Sequence, residues 1–408
     1  MSEEIIVGLD IGTTKICAVV GALAGESIEI IGMGSYLSEG LRKGVVINIE
    51  NTVNSIKQAI EEAETMAGCE IGSVYAGIAG GHVKGFNSHG AIPLKGREIT
   101  QRDIDRVMEV ASARAIPMDR EVIHTLVQEY IVDDQDGIVN PVGMSGVRLE
   151  VRVHIVTGAV TSAQNIIRCA NRAGLDVCDI VLQPLASSGA VLSKEEKNLG
   201  VALIDFGGGT TDLAVFSKGS IRHTSVLALG GDNLTYDLAV GLRTPKLEAE
   251  KIKIKYGCCF PGLIGKDETV EVPTVGEVKP RMLPRRVLGE ILEPRVEEIF
   301  ILTFGELINA GLENTTASGI VVTGGSAELQ GVAELAGKVF NAPVRIGRPR
   351  GITGLVDLVN KPMYSTAVGL VLYGAESSRN VKKFRIRDTN NIFSRVMSRM
   401  KRWFKDLT

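Results

Sequence analysis

The feature that most constrains this 408-residue chain is a short pattern that occurs near the start of each half. Residues 5–20 read IIVGLDIGTTKICAVV, and residues 201–216 read VALIDFGGGTTDLAVF. Each is an apolar run that ends in aspartate, a turn with glycine and two threonines, and a second apolar run. Such runs predict buried strands joined by a tight turn. Because the pattern is repeated, we expect a duplicated fold with two lobes whose turns face each other across a cleft.

Both predicted turns suit an anion such as phosphate, because glycines expose backbone N–H groups with no Cβ in the way. The predicted contacts are Gly12, Thr13, Thr14 and Lys15 in the first turn and Gly207, Gly208, Gly209, Thr210 and Thr211 in the second. Asp10 and Asp205 end their strands beside hydroxyl groups, and we expect them to hold Mg²⁺, largely through water. For the second stretch taken alone, a plain β-hairpin with a glycine turn is the alternative.

A third glycine turn follows a predicted strand at 318–323 and precedes a predicted helix at 327–340. Its residues are Gly324, Gly325 and Ser326. A glycine pair lets a flat base or a ribose lie against the backbone.

In this order, the three turns resemble the signature loops of the actin, Hsp70 and sugar-kinase superfamily. Segments 183–188 and 364–369 resemble its two connecting segments. The resemblance implies an α/β, actin-like two-lobed fold built from duplicated ribonuclease-H-like domains, which binds ATP and Mg²⁺. A sugar-type kinase or a pilus-assembly scaffold of the same fold is the alternative function.

Two further site predictions follow from this resemblance. Glu250 and Lys253 lie three residues apart on a predicted helix at 246–256, a spacing that the superfamily uses at the purine and ribose; a solvated surface pair is the alternative. Gln183 stands where many relatives have glutamate near the attacking water. A neutral amide orients water but does not act as a base at neutral pH, so we expect slow or absent ATP hydrolysis.

Composition limits the other classes of function. The chain is 44% hydrophobic and 23% charged, as in ordinary globular proteins, and its size allows two lobes. Only 4% is aromatic, which argues against a stacking platform for single-stranded nucleic acid, and no nucleic-acid partner is expected. The six cysteines show no CxxC pattern and predict reduced thiols, and no apolar run is long enough to span a bilayer.

The last residues, 391–408, predict an amphipathic helix. Wound at about 100° per residue, its apolar side chains fall within an arc of about 140°. They are Ile392, Phe393, Val396, Met397, Met400, Trp403, Phe404 and Leu407, and the basic residues of the other face are Arg395, Arg399, Lys401, Arg402 and Lys405. Aromatic residues opposite Lys/Arg are typical of a helix that lies in an anionic membrane interface. A terminal helix packed on the body is the alternative.

An actin-like core, an insert at residues 84–162 that does not fit the actin pattern, and this terminal helix together resemble the bacterial cell-division FtsA family. Segments 351–355 (GITGL) and 364–370 (YSTAVGL) are very similar to that family's sequence. The resemblance implies a peripheral protein at the division site, on the cytoplasmic face of the inner membrane. It implies self-assembly into actin-like protofilaments, tethering of FtsZ to the membrane and contacts with other division proteins. The basic residues that would suit an acidic FtsZ peptide are Lys251, Lys253, Lys255, Arg285 and Arg286.

The predicted units follow one another along the chain. They are the first lobe (1–83), an inserted α+β subdomain for protein contacts (84–162), the first lobe again (163–198), the second lobe (199–231), its upper, FtsZ-contacting part (232–312), the adenosine loop (313–350), a closing segment of the first lobe (351–378), a flexible basic linker (379–390) and the membrane-targeting helix (391–408). Within the upper part, residues 257–284 contain four prolines and are predicted to be a long loop.

Overall fold

The computed structural model describes residues 4–25, 27–113, 115–273 and 280–385. The predicted membrane helix at 391–408 and the end of the predicted linker therefore lie outside the described residues. Within the described part, the chain forms two lobes, each with its own sheet, and a separate insert.

The first lobe starts with an antiparallel hairpin. Its elements are β1 (Ile5–Ile11), β2 (Lys15–Ala24), β3 (Ser27–Leu37), β4 (Leu41–Arg42), β5 (Val45–Val46), α1 (Ile49–Ala67) and β6 (Ser73–Ile78). Strand β1 pairs antiparallel with β2 and parallel with β6, so Asp10 lies near the end of a central strand. Helix α1 packs on β3 through an apolar face.

The insert is a sheet with one covering helix. Its elements are β7 (Lys84–Glu98), α2 (Gln101–Ser112), β8 (Arg120–Val132), β9 (Gln135–Ile138) and β10 (Ser145–Ala159). The sheet has the order β7-β10-β8-β9, and Ile104, Val107 and Ala111 of α2 pack on it in a core of its own. Thr100 and Asp103 form the capping box that begins α2. The elements of this insert run from Lys84 to Ala159.

After the insert, the chain returns to the first lobe. The elements here are α3 (Val160–Arg172), β11 (Asp176–Leu182), α4 (Gln183–Val191) and α5 (Lys194–Leu199). Strand β11 pairs parallel with β6 and forms an edge of the first sheet.

The second lobe repeats the arrangement of the first. Its elements are β12 (Val201–Phe206), β13 (Thr211–Ser217), β14 (Ser220–Leu227), α6 (Gly231–Leu242), α7 (Lys246–Tyr256), β15 (Thr269–Val272), β16 (Arg281–Pro284), α8 (Arg286–Asn309), β17 (Ile320–Thr323), α9 (Val332–Phe340) and β18 (Val344–Ile346). Strand β12 pairs antiparallel with β13 and parallel with β17, as β1 does with β2 and β6. The predicted duplication is confirmed by these matching pairings.

Residues 257–284 are not the continuous loop that their prolines suggested. Strands β15 and β16 pair antiparallel, and Val270 and Val272 are buried in the core of the second lobe. Two strands of four residues give too little alternation for a sequence pattern to detect.

The closing segment brings the chain back to the first lobe. It contains β19 (Thr353–Gly354), which pairs with β3, α10 (Val356–Val359) and α11 (Ser365–Arg385). Helix α11 continues through residues that we predicted to begin a flexible linker at 379. Residues 376–385 contain neither glycine nor proline, and Glu, Lys and Arg favour helix even without apolar periodicity. None of the described helices is both long and apolar enough to cross a membrane.

The contact between β3 and α1 depends on a glycine without a side chain. A Cβ at Gly34 would lie 2.0 Å from the carbonyl oxygen of Ala59 in α1. We predict that Gly34→Ala lowers the free energy of unfolding by about 2–3 kcal/mol, because sheet and helix must separate. Gly72→Ala is the matched control, since its Cβ would meet no atom within 4 Å. Urea denaturation measures both, and equal stability of the two variants would contradict the packing seen here.

Candidate functional site

The two glycine turns meet face to face between the lobes. A Cβ at Gly208 would lie 2.5 Å from Cγ2 of Thr14, and a Cβ at Gly209 would lie 2.3 Å from Oγ1 of Thr13. A Cβ in either position would force the facing threonine side chain to shift, so the close approach of the two turns depends on glycine. The predicted cleft between facing turns is therefore present.

A cavity of about 120 Å³ lies where the turns meet. Among the predicted site residues, it is lined by Asp10, Gly12, Thr13, Thr14, Lys15, Gln183, Asp205, Gly207, Gly208, Gly209, Thr210, Gly324 and Gly325. These residues come from four separate stretches of sequence, so most of the predicted constellation converges on one place.

Thr211 does not line this cavity. Its hydroxyl donates to the carbonyl oxygen of Leu229 at 2.9 Å, and the residue is buried. Strand β13 begins at Thr211, so its side chain alternates in direction with its neighbours Thr210 and Asp212, both of which reach the cavity.

Three buried carboxyl groups surround the cavity. Burial raises the pKa of Asp10 to about 6, the charge of Lys15 opposes this shift, and the charge of Asp205 adds to it. Burial likewise raises the pKa of Asp205, against a hydrogen bond of 3.1 Å from the Thr366 hydroxyl. Burial and the charge of Asp205 raise the pKa of Asp212 well above its usual range. The site thus favours either protons or a cation beside these oxygens.

The donor set fits Mg²⁺ held through water. Its atoms are carboxylate and hydroxyl oxygens, the ligands that Mg²⁺ prefers. Within the described ranges, no three or more His, Cys, Asp or Glu side chains lie close enough together to hold a metal ion directly. A magnesium ion held here by Asp10 and Asp205 would keep most of its ligands as water or phosphate oxygens.

Lys15 and Gln183 lie beside Asp10. The Nζ of Lys15 is 3.9 Å from Oδ2 of Asp10 and donates to the carbonyl oxygen of Met363 at 3.0 Å. The Nε2 of Gln183 donates to Oδ1 of Asp10 at 3.1 Å. The cationic and the amide group thus lie at the same end of the cavity.

The third glycine turn packs against the second. Gly324 has φ of 88°, and a Cβ there would lie 2.5 Å from Oδ1 of Asp205, so both backbone and packing require glycine. The Ser326 hydroxyl donates to the carbonyl oxygen of Gly207 at 3.0 Å. Ser326 thus joins the predicted adenosine turn to the predicted phosphate turn, although it does not line the cavity.

Glu250 and Lys253 lie next to this junction, outside the cavity. The Nζ of Lys253 donates to the carbonyl oxygen of Gly231 at 3.0 Å and lies 2.7 Å from Oε2 of Glu250. Glu250 also accepts from the Thr235 hydroxyl. The pair is therefore bound to the start of α6 and is not a solvated surface pair.

The predicted partner-binding cations differ in their surroundings. Arg285 donates from Nε to the carbonyl oxygen of Tyr256 at 2.7 Å and from another nitrogen to Glu268, so its guanidinium is engaged within the fold. Lys251, Lys255 and Arg286 lie at the surface. The predicted membrane residues, Ile392 to Leu407, lie outside the described residues.

Six residues that line the cavity were absent from our sequence prediction of the site: Ile11, Gly44, Asp212, Pro362, Met363 and Thr366. Asp212 and Thr366 line it, and the Gly44 N–H donates to Oγ1 of Thr13 at 3.0 Å. An acid that opens an apolar strand was a usable signal for Asp212, and Thr366 lies within a connecting segment that we recognised. Gly44 reaches the site only through tertiary structure, and no local pattern marks it.

We predict that Asp212→Asn stabilises the nucleotide-free protein. Oδ1 of Asp212 has no partner among the described residues, so a buried charge is replaced by a neutral group of the same shape. The folded-state pKa is raised, so wild-type stability falls as pH rises from about 4 towards that pKa. The free energy of unfolding of Asp212→Asn should exceed that of the wild-type protein by about 1–3 kcal/mol at pH 8, and the two should be equal near pH 4. Thermal unfolding with a chelator measures it, and a gain independent of pH would contradict the assigned protonation.

Solved structures share this architecture. A structure described as the PilM-PilN type IV pilus biogenesis complex matches with a TM-score of 0.67 at 16% identity, over 90% of this chain and 98% of that one. MreB5 of Spiroplasma citri bound to ADP matches with a TM-score of 0.55 at 14% identity, over 93% and 98%. At such identities the likeness concerns the fold alone, and it confirms the expected actin-like class.

Sequence relatives are much closer. A family model described as cell division protein FtsA matches residues 202–369, and one described as the SHS2 domain inserted in FtsA matches residues 80–157. Relatives described as cell division protein FtsA are 48% identical in Pseudomonas aeruginosa, over 98% of both chains, and 45% identical in Neisseria meningitidis serogroup B, over 98% of this chain and 97% of the other. The relative in Escherichia coli K12 is 43% identical over 93% of this chain and 92% of its own. The chain therefore belongs to the FtsA family of cell division proteins.

Proposed function

We propose that this chain is an ATP-binding, actin-like cell-division protein. In this proposal it polymerises on the cytoplasmic membrane, tethers FtsZ filaments to it and helps to recruit later division proteins to the septal ring. The observation that carries the nucleotide part is the pair of opposed glycine turns with buried carboxyl groups between the lobes.

The triphosphate would lie between the two turns. Backbone N–H groups of Thr13, Thr14, Gly208 and Gly209 would donate to phosphate oxygens, with Lys15 as the nearby cation. The N–H groups of Gly12 and Gly207 instead close their own turns, donating to the carbonyl oxygens of Lys15 and Thr210 at 3.0 Å. Mg²⁺, when bound, would neutralise charge shared by the phosphates and by Asp10 and Asp205. MreB5 of Spiroplasma citri, which shares the fold, has been solved with ADP and with AMPPNP, and this supports a nucleotide in the cleft.

The adenosine would lie along residues 324–326, with Glu250 and Lys253 at its ribose and base. Lys253 and Ser326 already converge there, because a Cβ at Gly231 would lie 2.5 Å from Ser326 Oγ and 3.4 Å from Lys253 Nζ. Bound nucleotide would thus connect three segments of the second lobe.

Gln183 favours a nucleotide that acts mainly as an assembly ligand. Its amide holds Asp10 and would orient a water molecule, but an amide does not accept a proton at neutral pH. Slow or undetectable turnover follows, with ATP stabilising one arrangement of the two lobes.

The nucleotide proposal predicts that Asp205→Asn weakens binding of ATP in the presence of Mg²⁺ by tenfold or more, about 1.4 kcal/mol, because the charge opposite the ion is lost. Isothermal titration calorimetry measures this. Asp134→Asn removes a fully exposed carboxylate and serves as the control. In EDTA the difference between wild type and Asp205→Asn should shrink. If Asp205→Asn binds ATP in the presence of Mg²⁺ as tightly as the wild-type protein does, the cleft is not the nucleotide site.

The upper part of the second lobe is the proposed FtsZ contact. Leu247 and Ile254 of α7 are 74% and 75% exposed. The surface cations Lys251 and Lys255 lie on the same helix, and Arg286, also at the surface, begins α8. Exposed apolar side chains beside cations suit an acidic peptide that also carries apolar residues. Arg285 contributes less to such a contact, because its guanidinium is engaged in the fold.

Residues 391–408 are the proposed membrane anchor. Each basic residue near an anionic leaflet adds about 1 kcal/mol, and partial burial of the apolar face adds to this, while helix ordering opposes it. One tail should therefore bind reversibly. A polymer that displays many tails would bind far more firmly, which joins the membrane and filament parts of the proposal.

We predict that Trp403→Glu abolishes flotation of the protein with anionic liposomes and the co-flotation of FtsZ, because a charge enters the apolar face. Ser398→Glu adds the same charge on the polar face and should retain most of the binding. A flotation assay with purified FtsZ measures both. Flotation of Trp403→Glu at the wild-type level would exclude this helix as the anchor.

A further inference from the structure

Strand β8 of the insert reaches the first lobe next to the candidate site. The imidazole Nε2 of His124 accepts the backbone N–H of Leu182 at 3.0 Å. Leu182 is fully buried at the end of β11, an edge strand of the six-stranded sheet. An edge N–H has no neighbouring strand to bond, and leaving it unpaired in the interior would be costly. A side chain from the insert therefore completes the backbone bonding of the first lobe.

A β-bulge aims this histidine. In the β8–β10 pairing, Val156 lies opposite His124 but Thr157 lies opposite Val122, so Ile123 is an extra residue. Ile123 packs against the core of the first lobe, and the next residue, His124, reaches Leu182. Bulges re-aim side chains in this way.

The acceptor role requires a neutral ring with its proton on Nδ1. His124 is 9% exposed, and burial lowers its pKa, while the charge of Asp179 acts in the opposite direction. The Tyr373 ring lies edge-on to the imidazole at 6.3 Å and donates its hydroxyl to Asp179 at 3.0 Å. The His124 ring is therefore buried beside an aromatic ring as well as bonded to the Leu182 backbone.

Leu182 is the residue at which β11 turns into α4. The next residue, Gln183, is the first of α4 and donates to Asp10 at 3.1 Å. The described contacts thus form an unbroken series from His124, through the Leu182 backbone, to Gln183 and Asp10.

We propose that His124 of the insert is a positioning residue for the site: by accepting the Leu182 N–H, it fixes the turn from β11 to α4 and so holds Gln183 against Asp10. The inference rests on the proposed nucleotide function. In this proposal the insert stabilises the geometry of the site. A partner that displaces β8 would therefore also free Gln183 from its position against Asp10.

A double-mutant cycle tests this role. His124→Phe keeps a ring beside Tyr373 but removes the acceptor, and His124→Gln provides a carbonyl oxygen at a similar reach. We expect His124→Phe to weaken binding of ATP with Mg²⁺ about fivefold in the wild-type background and less than about twofold in Gln183→Ala. His124→Gln should restore most of the affinity. Equal weakening of ATP binding in both backgrounds would show that His124 does not act through Gln183, and this result would overturn the proposal.

Two measurements are independent of nucleotide. Hydrogen exchange of the Leu182 amide should be faster in His124→Phe than in His124→Gln, and unchanged exchange would overturn the proposal. In the wild-type protein, ¹⁵N NMR should show His124 as the Nδ1–H tautomer, and a proton on Nε2 would also overturn it. Failure of the wild-type protein to bind ATP would contradict the proposed function. A missing coupling beside normal ATP binding would contradict only the role of His124.

Discussion

The closeness of the two glycine turns governs the rest of the structure. Gly208 and Gly209 lie against Thr14 and Thr13 with no space for a Cβ, and this contact brings the carboxyl groups of both lobes to one cavity. The fold accepts buried carboxyl groups with raised pKa values at this point. Charges that destabilise the empty fold are expected where a cation and phosphates are to be held, since binding sites often reduce stability.

The site was easiest to predict from the sequence where a polar site residue stands at the end of a clearly apolar strand. An apolar run ending in Asp10 or Asp205 and followed by glycine has few alternative structures, and both hairpins form as expected. Thr211 lies outside the cavity because β13 begins there and side chains alternate in direction along a strand. Two consecutive threonines in a sequence do not reveal where the strand begins. Gly44 and the β15–β16 hairpin depend on contacts between distant segments, which no local pattern contains.

The insert contacts both sides of the cleft. On the first lobe His124 accepts from Leu182, and on the second lobe Gln128 donates to the carbonyl oxygen of Ile221 at 2.9 Å. His154 and Thr224 share a buried hydrogen bond of 2.8 Å at the same boundary. Ile221 and Thr224 belong to β14, which pairs with β13, the strand that leaves the second glycine turn. A change in the angle between the lobes must therefore strain or break some of these bonds, so the position of the insert and the closure of the cleft are mechanically linked.

Helix α7 of the second lobe also carries residues for two of the proposed contacts, those with nucleotide and with FtsZ. Glu250 and Lys253 bond to α6 on one side of this 11-residue helix, while Leu247 and Ile254 are exposed to solvent. Residues three or four apart share a helix face, so Leu247, Lys251 and Ile254 lie together on α7, and all three are exposed to solvent. In the proposed function, nucleotide that contacts Glu250 and Lys253 would fix the helix from within, and FtsZ would contact its outer face. A helix of three turns moves as one rigid element, so in the proposed function a shift of α7 caused by nucleotide would also move the surface that contacts FtsZ.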